Sequence, residues 1–126
     1  MSETTKVLRE LNTFIAKKAV DITASVTGFL QEDTPKLTEH AASNWIPTIG
    51  SPHPSPAGTR QAVSYTEQAQ GLSNIEKYKI DLFKRPELLY VTNNVYYILS
   101  LNNGSSSKAP AGFVQTDIAK AVLANI

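Results

Sequence analysis

Apolar side chains recur at spacings of three and four near the start of the chain, which is the period of an amphipathic helix. They are Leu8, Leu11, Ile15, Ala19, Ile22, Val26 and Phe29. The pattern predicts a helix over residues 5–30, which is long for a domain of this size. Because several residues of its second half are β-branched, its intrinsic helix propensity is poor and its stability has to come from packing.

The sequence then predicts that this helix ends and that a second helix begins shortly afterwards. Asp33 or Thr34 can cap a new helix that has Pro35 near its first turn. We expect that second helix to run through His40 towards Trp45.

Residues 47–60 are rich in proline and glycine, so this stretch cannot form a helix or a central strand. One interpretation is a surface loop or a polyproline-like linker. The other is an extended arm that orders against a neighbouring subunit, because long irregular segments are uncommon in compact domains.

Further helices are predicted in the second half of the chain. Ser64 and Glu67 have capping-box spacing, and moderate helical periodicity continues to about Asp81, although Gly71 weakens it. A last amphipathic helix follows Gly112, and its apolar face is formed by Val114, Ile118, Ala121 and Val122.

Strand signals lie between these helices. Residues 88–92 are rich in β-formers and are bounded by Pro86 and by Asn93-Asn94. Residues 45–49 and 59–63 are further strand candidates, and residues 95–101 fit either a strand or a short helix. If they are helical, Asn103-Gly104 supplies the C-terminal stop. The pattern therefore predicts an α+β fold, with the long N-terminal helix and further helices packed on a small antiparallel β-sheet.

Composition narrows the function. The chain has 126 residues, which fits a single domain over 1–126, and its net charge of +1 gives no electrostatic argument for nucleic acid. There is no cysteine and no recognisable catalytic, phosphate-binding or metal-binding motif. We expect a non-enzymatic protein without cofactor, metal or small-molecule substrate. The start of the chain lacks a signal-peptide pattern and no apolar run could span a membrane, so we expect no membrane partner.

A local basic cluster consists of Lys77, Lys79, Lys84 and Arg85. A solvated helix face explains it most simply, since acidic residues are interspersed. The functional alternative is a ring lumen facing DNA, in which many copies multiply a weak charge.

Residues 86–126 carry a distinctive order of motifs. A strand ends in Thr92-Asn93, a short segment contains Tyr97, a loop contains Gly104, Ser105 and Ser106, and Ala109-Pro110-Ala111-Gly112 precedes the closing helix. This order resembles the signature of a neck or tail-completion family of tailed bacteriophages, the minor tail proteins involved in head–tail joining. The family also tends to carry Thr-Pro after its first long helix and Trp at the start of a strand, as at Thr34-Pro35 and Trp45.

The resemblance implies a structural protein of the virion, assembled in the cytoplasm of a bacterial host. Such a subunit forms a homo-oligomeric ring at the head-proximal end of the tail. Its neighbours would be the head–tail connector and the tail-tube or terminator proteins, with DNA passing through the lumen. Six copies would match tail symmetry and are the expected number, whereas twelve would match portal symmetry. The alternatives are a tail terminator that caps the tube or, in a different class, a small nucleic-acid-binding module.

Overall fold

The computed structural model describes residues 2–35, 39–54, 65–104 and 109–126. These residues form five helices and two strands: α1 (Glu3–Asp33), α2 (His40–Ser43), β1 (Ile46–Ile49), α3 (Tyr65–Ile75), β2 (Leu89–Thr92), α4 (Ile98–Asn102) and α5 (Phe113–Ala124). The predicted α+β class is confirmed, with a long N-terminal helix and a small antiparallel sheet. Within the described ranges, no helix is both long enough and apolar enough to cross a membrane.

Helix α1 is longer than the predicted 5–30. It begins after Ser2, whose Oγ accepts a hydrogen bond from the Thr5 backbone N–H at 3.1 Å. Its buried residues are Ala16, Val20, Thr23, Val26, Thr27 and Leu30. This face is displaced by about one position from the predicted apolar stripe, of which only Val26 is buried.

Threonines take the place of aliphatic residues on the buried face of α1. The Thr23 hydroxyl donates to the Ala19 carbonyl at 2.7 Å, and the Thr27 hydroxyl donates to the Thr23 carbonyl at 2.9 Å. Because each hydroxyl is bonded one turn back on its own helix, it presents only its methyl group to the core without an unpaired donor. The predicted stripe was wrong in the second half of α1 because a pattern based on hydrophobicity alone does not mark threonine as a core residue.

The sheet pairs β1 with β2 in antiparallel register, from Ile46 opposite Thr92 to Ile49 opposite Leu89. The predicted strands at 45–49 and 88–92 are confirmed to within one residue. Pro47 lies inside β1, so the first residues of the predicted 47–60 arm belong to the sheet. A proline fits there because β1 has one partner strand in the described sheet. Residues 50–54 form no helix or strand, whereas 55–60 and the strand candidate 59–63 fall outside the described residues.

The predicted start of the second helix, at Asp33 or Thr34, is wrong, although a helix does cover His40 within the predicted range. Thr34 is the C-terminal cap of α1 and has an extended backbone, while Asp33 is the last residue of that helix. Helix α2 begins only at His40 and has a single turn. The backbone N–H of Thr34 still bonds to the Leu30 carbonyl, at 3.0 Å, but the ψ angle of Thr34 lies outside the helical region. Helix α1 therefore ends at this residue.

Helix α3 ends at Ile75, six residues before the predicted Asp81. Tighter turn bonds close it, with the Glu76 N–H donating to Ser73 at 3.3 Å and the Lys77 N–H donating to Asn74 at 3.2 Å. Ser64 of the predicted capping box lies outside the described residues. Gly71 is buried against β1, and an added Cβ would lie 2.7 Å from the Pro47 carbonyl oxygen. The glycine that weakened the helix prediction is therefore the point where α3 approaches the strand backbone.

Of the two interpretations of residues 95–101, the helical one is correct, since α4 begins at Ile98. Asn103 caps α4 and Gly104 follows with φ of +92°, as predicted for the helix stop. Helix α5 runs antiparallel along α1, with Lys120 beside Asp33 and Asn125 beside Ser25.

The predicted packing of α5 needs two corrections. Its buried residues are Phe113, Asp117 and Ala121, whereas Ile118 and Val122 of the predicted face are exposed. The helix packs mainly on α1 rather than on the sheet. The main core joins Val26 and Leu30 of α1, Phe113 and Ala121 of α5, and the side chains of Trp45 and Ala109.

We predict that Gly71→Ala lowers the free energy of unfolding by roughly 2 kcal/mol, because the new methyl group collides with Pro47. Gly28→Ala is the matched control, since nothing lies within 4 Å of the added Cβ on α1. It should raise stability by roughly 0.5–1 kcal/mol through helix propensity. Chemical denaturation of both variants checks the contrast, and equal stabilisation would contradict the close approach of α3 and β1.

Candidate functional site

Thr34 and Trp45, which both match the phage neck signature, are joined by a buried hydrogen bond. The indole N–H of Trp45 donates to Thr34 Oγ1 at 2.8 Å, and the Thr34 hydroxyl donates to the Leu30 carbonyl at 2.5 Å. Thr34 is 1% exposed and Trp45 is 6% exposed. The bond fixes the end of α1 against the residue that leads into β1, and both polar groups are satisfied without water.

The segment from His40 to Pro47, which covers α2 and the start of β1, is buried throughout. Amide side chains satisfy its carbonyl groups. Gln68 of α3 donates to Trp45 at 3.1 Å, Asn93 donates to Ala41 at 2.9 Å, and Asn44 donates to His40 at 2.9 Å. Because buried carbonyls are costly to leave unpaired, these amides hold α2 and its connection to β1 in the buried interior.

Thr92 and Asn93 end β2 in the way the sequence predicts. Thr92 is the last paired residue, opposite Ile46. The Asn93 Oδ1 then accepts the Val95 backbone N–H at 3.0 Å, which turns the chain out of the sheet. Asn94 donates to the His53 carbonyl at 2.6 Å and so holds the start of the proline-rich stretch.

Gly104 and Gly112 both lie in the part of the chain that connects α4 to α5. Gly112 has φ of +78° and precedes α5, so it offers no side chain to cap that helix. Asn102 supplies the cap from α4: its Oδ1 accepts the Val114 N–H at 2.9 Å and its carbonyl accepts the Gly112 N–H at 2.6 Å. Ser105 and Ser106 lie outside the described residues.

Tyr97 is the residue before α4 and is half-buried. Its ring packs edge to face against Tyr96, with the ring centroids 5.1 Å apart. Tyr96 is largely exposed, so this pair lies at the surface beside α4.

A cleft of about 500 Å³ lies between the end of α1 and the start of α5. Thr34, Pro35 and Pro110 of the resemblance all line it, although Pro110 lies far from the other two in the sequence. Its further lining includes Phe113, Asp117 and Lys120. The structure therefore brings two distant parts of the phage neck signature, Thr34-Pro35 and Pro110, together around one concave surface.

Asp117 is the unusual group of this cleft. Its side chain is 2% exposed, and its Oδ2 has no hydrogen-bond partner among the described residues. Lys120 lies 3.5 Å from Asp117 Oδ1 and 3.4 Å from Asp33 Oδ2, so one ammonium group serves two carboxyl groups. The same ammonium lies 4.7 Å from the centre of the Phe29 ring.

Burial raises the pKa of Asp117 to about 6, and the neighbouring Asp33 carboxyl adds to the shift while Lys120 opposes it. Desolvation works against the charge of Lys120, but the two carboxylates outweigh it and raise the pKa of the ammonium group. The two carboxyl groups can share a proton or hold a cationic group. No group of three or more His, Asp or Glu residues suited to a metal ion occurs in the described ranges.

The basic cluster lies far from this cleft, in the chain that follows α3. Lys77, Lys79, Lys84 and Arg85 are all exposed. Lys79 lines a second groove of about 490 Å³ along the N-terminal half of α1, together with Arg9 and Lys17. Asp21 and Glu76 line the same groove, so its charge is mixed.

Three polar residues that matter here were not predicted from the sequence: Gln68, Asn102 and Asp117. Asp117 carries a usable signal, because it lies four residues from both Phe113 and Ala121 on an apolar stripe. A lone charge in such a stripe indicates a buried carboxyl group. Gln68 and Asn102 carry no comparable signal, since their partners are distant backbone groups.

We predict that Thr34→Val lowers the free energy of unfolding by roughly 2 kcal/mol, because the buried Trp45 N–H loses its acceptor. Thr13→Val is the matched control, since Thr13 makes the same bond to its own helix, to Arg9 at 3.0 Å, but is exposed. It should change stability by less than about 0.5 kcal/mol. Equal effects in urea denaturation would mean that the Trp45 bond is not formed.

Asp117→Asn tests the buried carboxyl group. The pKa of Asp117 is raised on folding, from 3.8 to about 6, so the wild-type protein loses stability as pH rises through that window. The asparagine variant escapes this loss. It should be more stable than the wild type by roughly 2 kcal/mol above pH 6, and the advantage should vanish below pH 4.

Thermal unfolding between pH 3.5 and 8 measures this difference. Asp21→Asn is the control, because Asp21 pairs with Lys17 at the surface. Its stability difference should stay within a few tenths of a kcal/mol across the same range. A pH-independent effect of Asp117→Asn would contradict the raised pKa.

No protein-family model, curated protein or solved structure matches the chain. The resemblance to phage neck proteins stays a prediction, and function has to be inferred from the residues and their contacts.

Proposed function

We propose that this protein is a non-enzymatic structural subunit of a tailed-phage virion that assembles into a ring at the neck or head-proximal end of the tail. In this role it completes the tail and joins it to the DNA-filled head. The ring would consist of copies of this chain, with connector and tail-tube or terminator proteins as its neighbours.

The observation that carries this proposal is the number of large apolar side chains that the described residues leave in solvent. On the N-terminal half of α1, Val7, Leu11 and Phe14 are exposed at helical spacing. Phe83 and Leu88 are exposed in the turn after α3, and Tyr96 and Leu99 beside α4. Exposed apolar groups in several clusters are typical of protein–protein contact surfaces.

The end of α5 adds to the first of these surfaces. Lys18 donates to the Asn125 carbonyl at 2.8 Å, and its ammonium lies 5.9 Å from the Phe14 ring. This contact brings the C-terminal end of α5, where Leu123 and Ile126 are exposed, close to Phe14. A subunit with several such surfaces can contact more than one neighbour at the same time, as a ring subunit between head and tail must.

The residues that match the phage neck signature are the reason for proposing a viral role. Thr34 and Trp45 bond to each other, and Pro35 and Pro110 line the same cleft. Thr92, Asn93, Gly104 and Gly112 each end or connect a structural element. All of these are scaffold roles, which suits a subunit whose work is assembly.

A nucleic-acid-binding module remains the second candidate, and the observation in its favour is the exposure of all four cations of the basic cluster. The mixed charge of the neighbouring groove weakens this candidate as a function of the isolated chain. A ring would repeat the cluster around its axis, which would reconcile it with DNA passing through a lumen. A tail terminator uses the same kind of ring, and the identity of the partner separates the two roles.

We predict that the purified protein forms rings, either alone or on a head–tail connector or tail-tube partner. Light scattering should give a multiple of the 13.7 kDa chain mass, and negative-stain images should show rotational symmetry. DNA binding by the isolated chain should be weak and should disappear at moderate salt.

A chain that stays monomeric with every virion component, and that is absent from purified virions, would overturn the proposal. Tight, salt-sensitive DNA binding by such a monomer would favour the second candidate instead.

A further inference from the structure

We propose that the turn after α3 of one copy inserts its Phe83-Lys84-Arg85 tip into the Asp33–Asp117 cleft of the next copy, so that subunits join head to tail. We call the turn at residues 81–87 the knob. This inference rests on the proposed ring function and names the interface that builds the ring.

The knob is a structured protrusion. Asp81 closes its turn, since its Oδ1 accepts the Phe83 N–H at 3.0 Å and its carbonyl accepts the Lys84 N–H at 2.9 Å. The Leu82 N–H donates to Asn12 Oδ1 on α1 at 3.1 Å, and the Tyr78 hydroxyl donates to the Glu87 carbonyl at 2.6 Å. Both ends of the knob are therefore tied to the molecule.

The tip of this held turn points into solvent. Phe83 is 79% exposed, and Lys84 and Arg85 are also exposed. An aromatic residue followed by an arginine, on a preformed turn, is the kind of anchor that dominates binding energy at protein interfaces.

The cleft has the complementary character. Pro35, Pro110 and Phe113 give it an apolar wall, and Asp33 and Asp117 give it negative charge. The Asp33 side chain is 39% exposed, so its carboxylate is the accessible one, while Asp117 is buried behind it at 1% exposure. Lys120 makes only long contacts to the two carboxyl groups, so Arg85 of a neighbouring copy can bond directly to Asp33 and add positive charge close to the buried Asp117.

The knob cannot reach the cleft of its own chain. It is tied to Asn12 near the start of α1, whereas Asp33 is the last residue of that helix. At 1.5 Å per residue the two sites are roughly 30 Å apart. Two complementary surfaces at opposite ends of one chain make a heterologous interface, which closes into a ring when the rotation between copies permits it.

Charge exchange tests the pairing. Arg85→Glu and Asp33→Lys should each raise the dissociation constant for self-association about tenfold or more, and the double variant should recover most of that loss. Asp33 is suited to this exchange because its side chain is 39% exposed, so the fold should survive. Lys6→Glu is the control, since it makes the same charge change at an exposed position of α1 away from both surfaces.

Cysteine cross-linking gives a second measurement that does not depend on altered charge. The chain has no cysteine, so Lys84→Cys and Thr116→Cys together place one thiol on the knob and one at the exposed rim of the cleft, while Phe83 and Arg85 stay in place. The distance between the two sites excludes a bridge within one chain. Oxidation should give a ladder of covalent multimers on a non-reducing gel, whereas either single variant should stop at dimers.

The outcomes separate this inference from the proposed function. Rings that form in the wild type but resist both charge variants, and that give no ladder, would overturn the knob-and-cleft interface and leave the ring proposal standing. A wild type that forms no ring with any virion component would overturn both. Loss of association in each single charge variant, recovery in the double variant and a ladder would establish the interface.

Discussion

The bond from the Trp45 indole to Thr34, and from Thr34 to the Leu30 carbonyl, connects the two halves of the molecule. It stops α1, sets the direction in which the chain leaves that helix, and fixes Trp45 in the core beside Phe113. The register of β1 against β2 starts one residue later. Because a buried indole N–H needs a partner, any displacement of the end of α1 would break this hydrogen bond and lower the free energy of unfolding.

Around this bond, the centre of the molecule is organised by amide side chains as much as by apolar packing. Gln68, Asn93 and Asn44 each bond to a carbonyl of the buried segment that leads into β1. Directional bonds of this kind specify a single arrangement of α2 and its connection to β1, which apolar contacts alone would not do. The apolar residues that the core does not use are left at the surface, where they are available for contact with other proteins.

Helix α1 sets the distance between the two charged features of the protein. Its first half carries the knob through Asn12, and its last turn carries one wall of the acidic cleft. A rigid helix keeps these surfaces apart, so neither neutralises the other within one chain. The buried Asp117 fits this arrangement, since an ionised carboxyl group held away from water is stabilised by an incoming cation. Assembly would then relieve a cost that the isolated subunit carries.

The α+β class, both strands, the long helix and the stop at Asn103-Gly104 could be predicted from the sequence, because each depends on local periodicity or on backbone preferences of single residues. The sequence did not determine which face of α1 or α5 is buried, because threonines bonded to their own helix and the lone Asp117 occupy core positions that hydrophobicity does not mark. The second helix was wrongly predicted to begin at Thr34. This residue instead ends α1, where its hydroxyl accepts the bond from Trp45, eleven residues later. The cleft and the distance between it and the basic turn were likewise decided by tertiary structure, because they join residues from opposite ends of the chain.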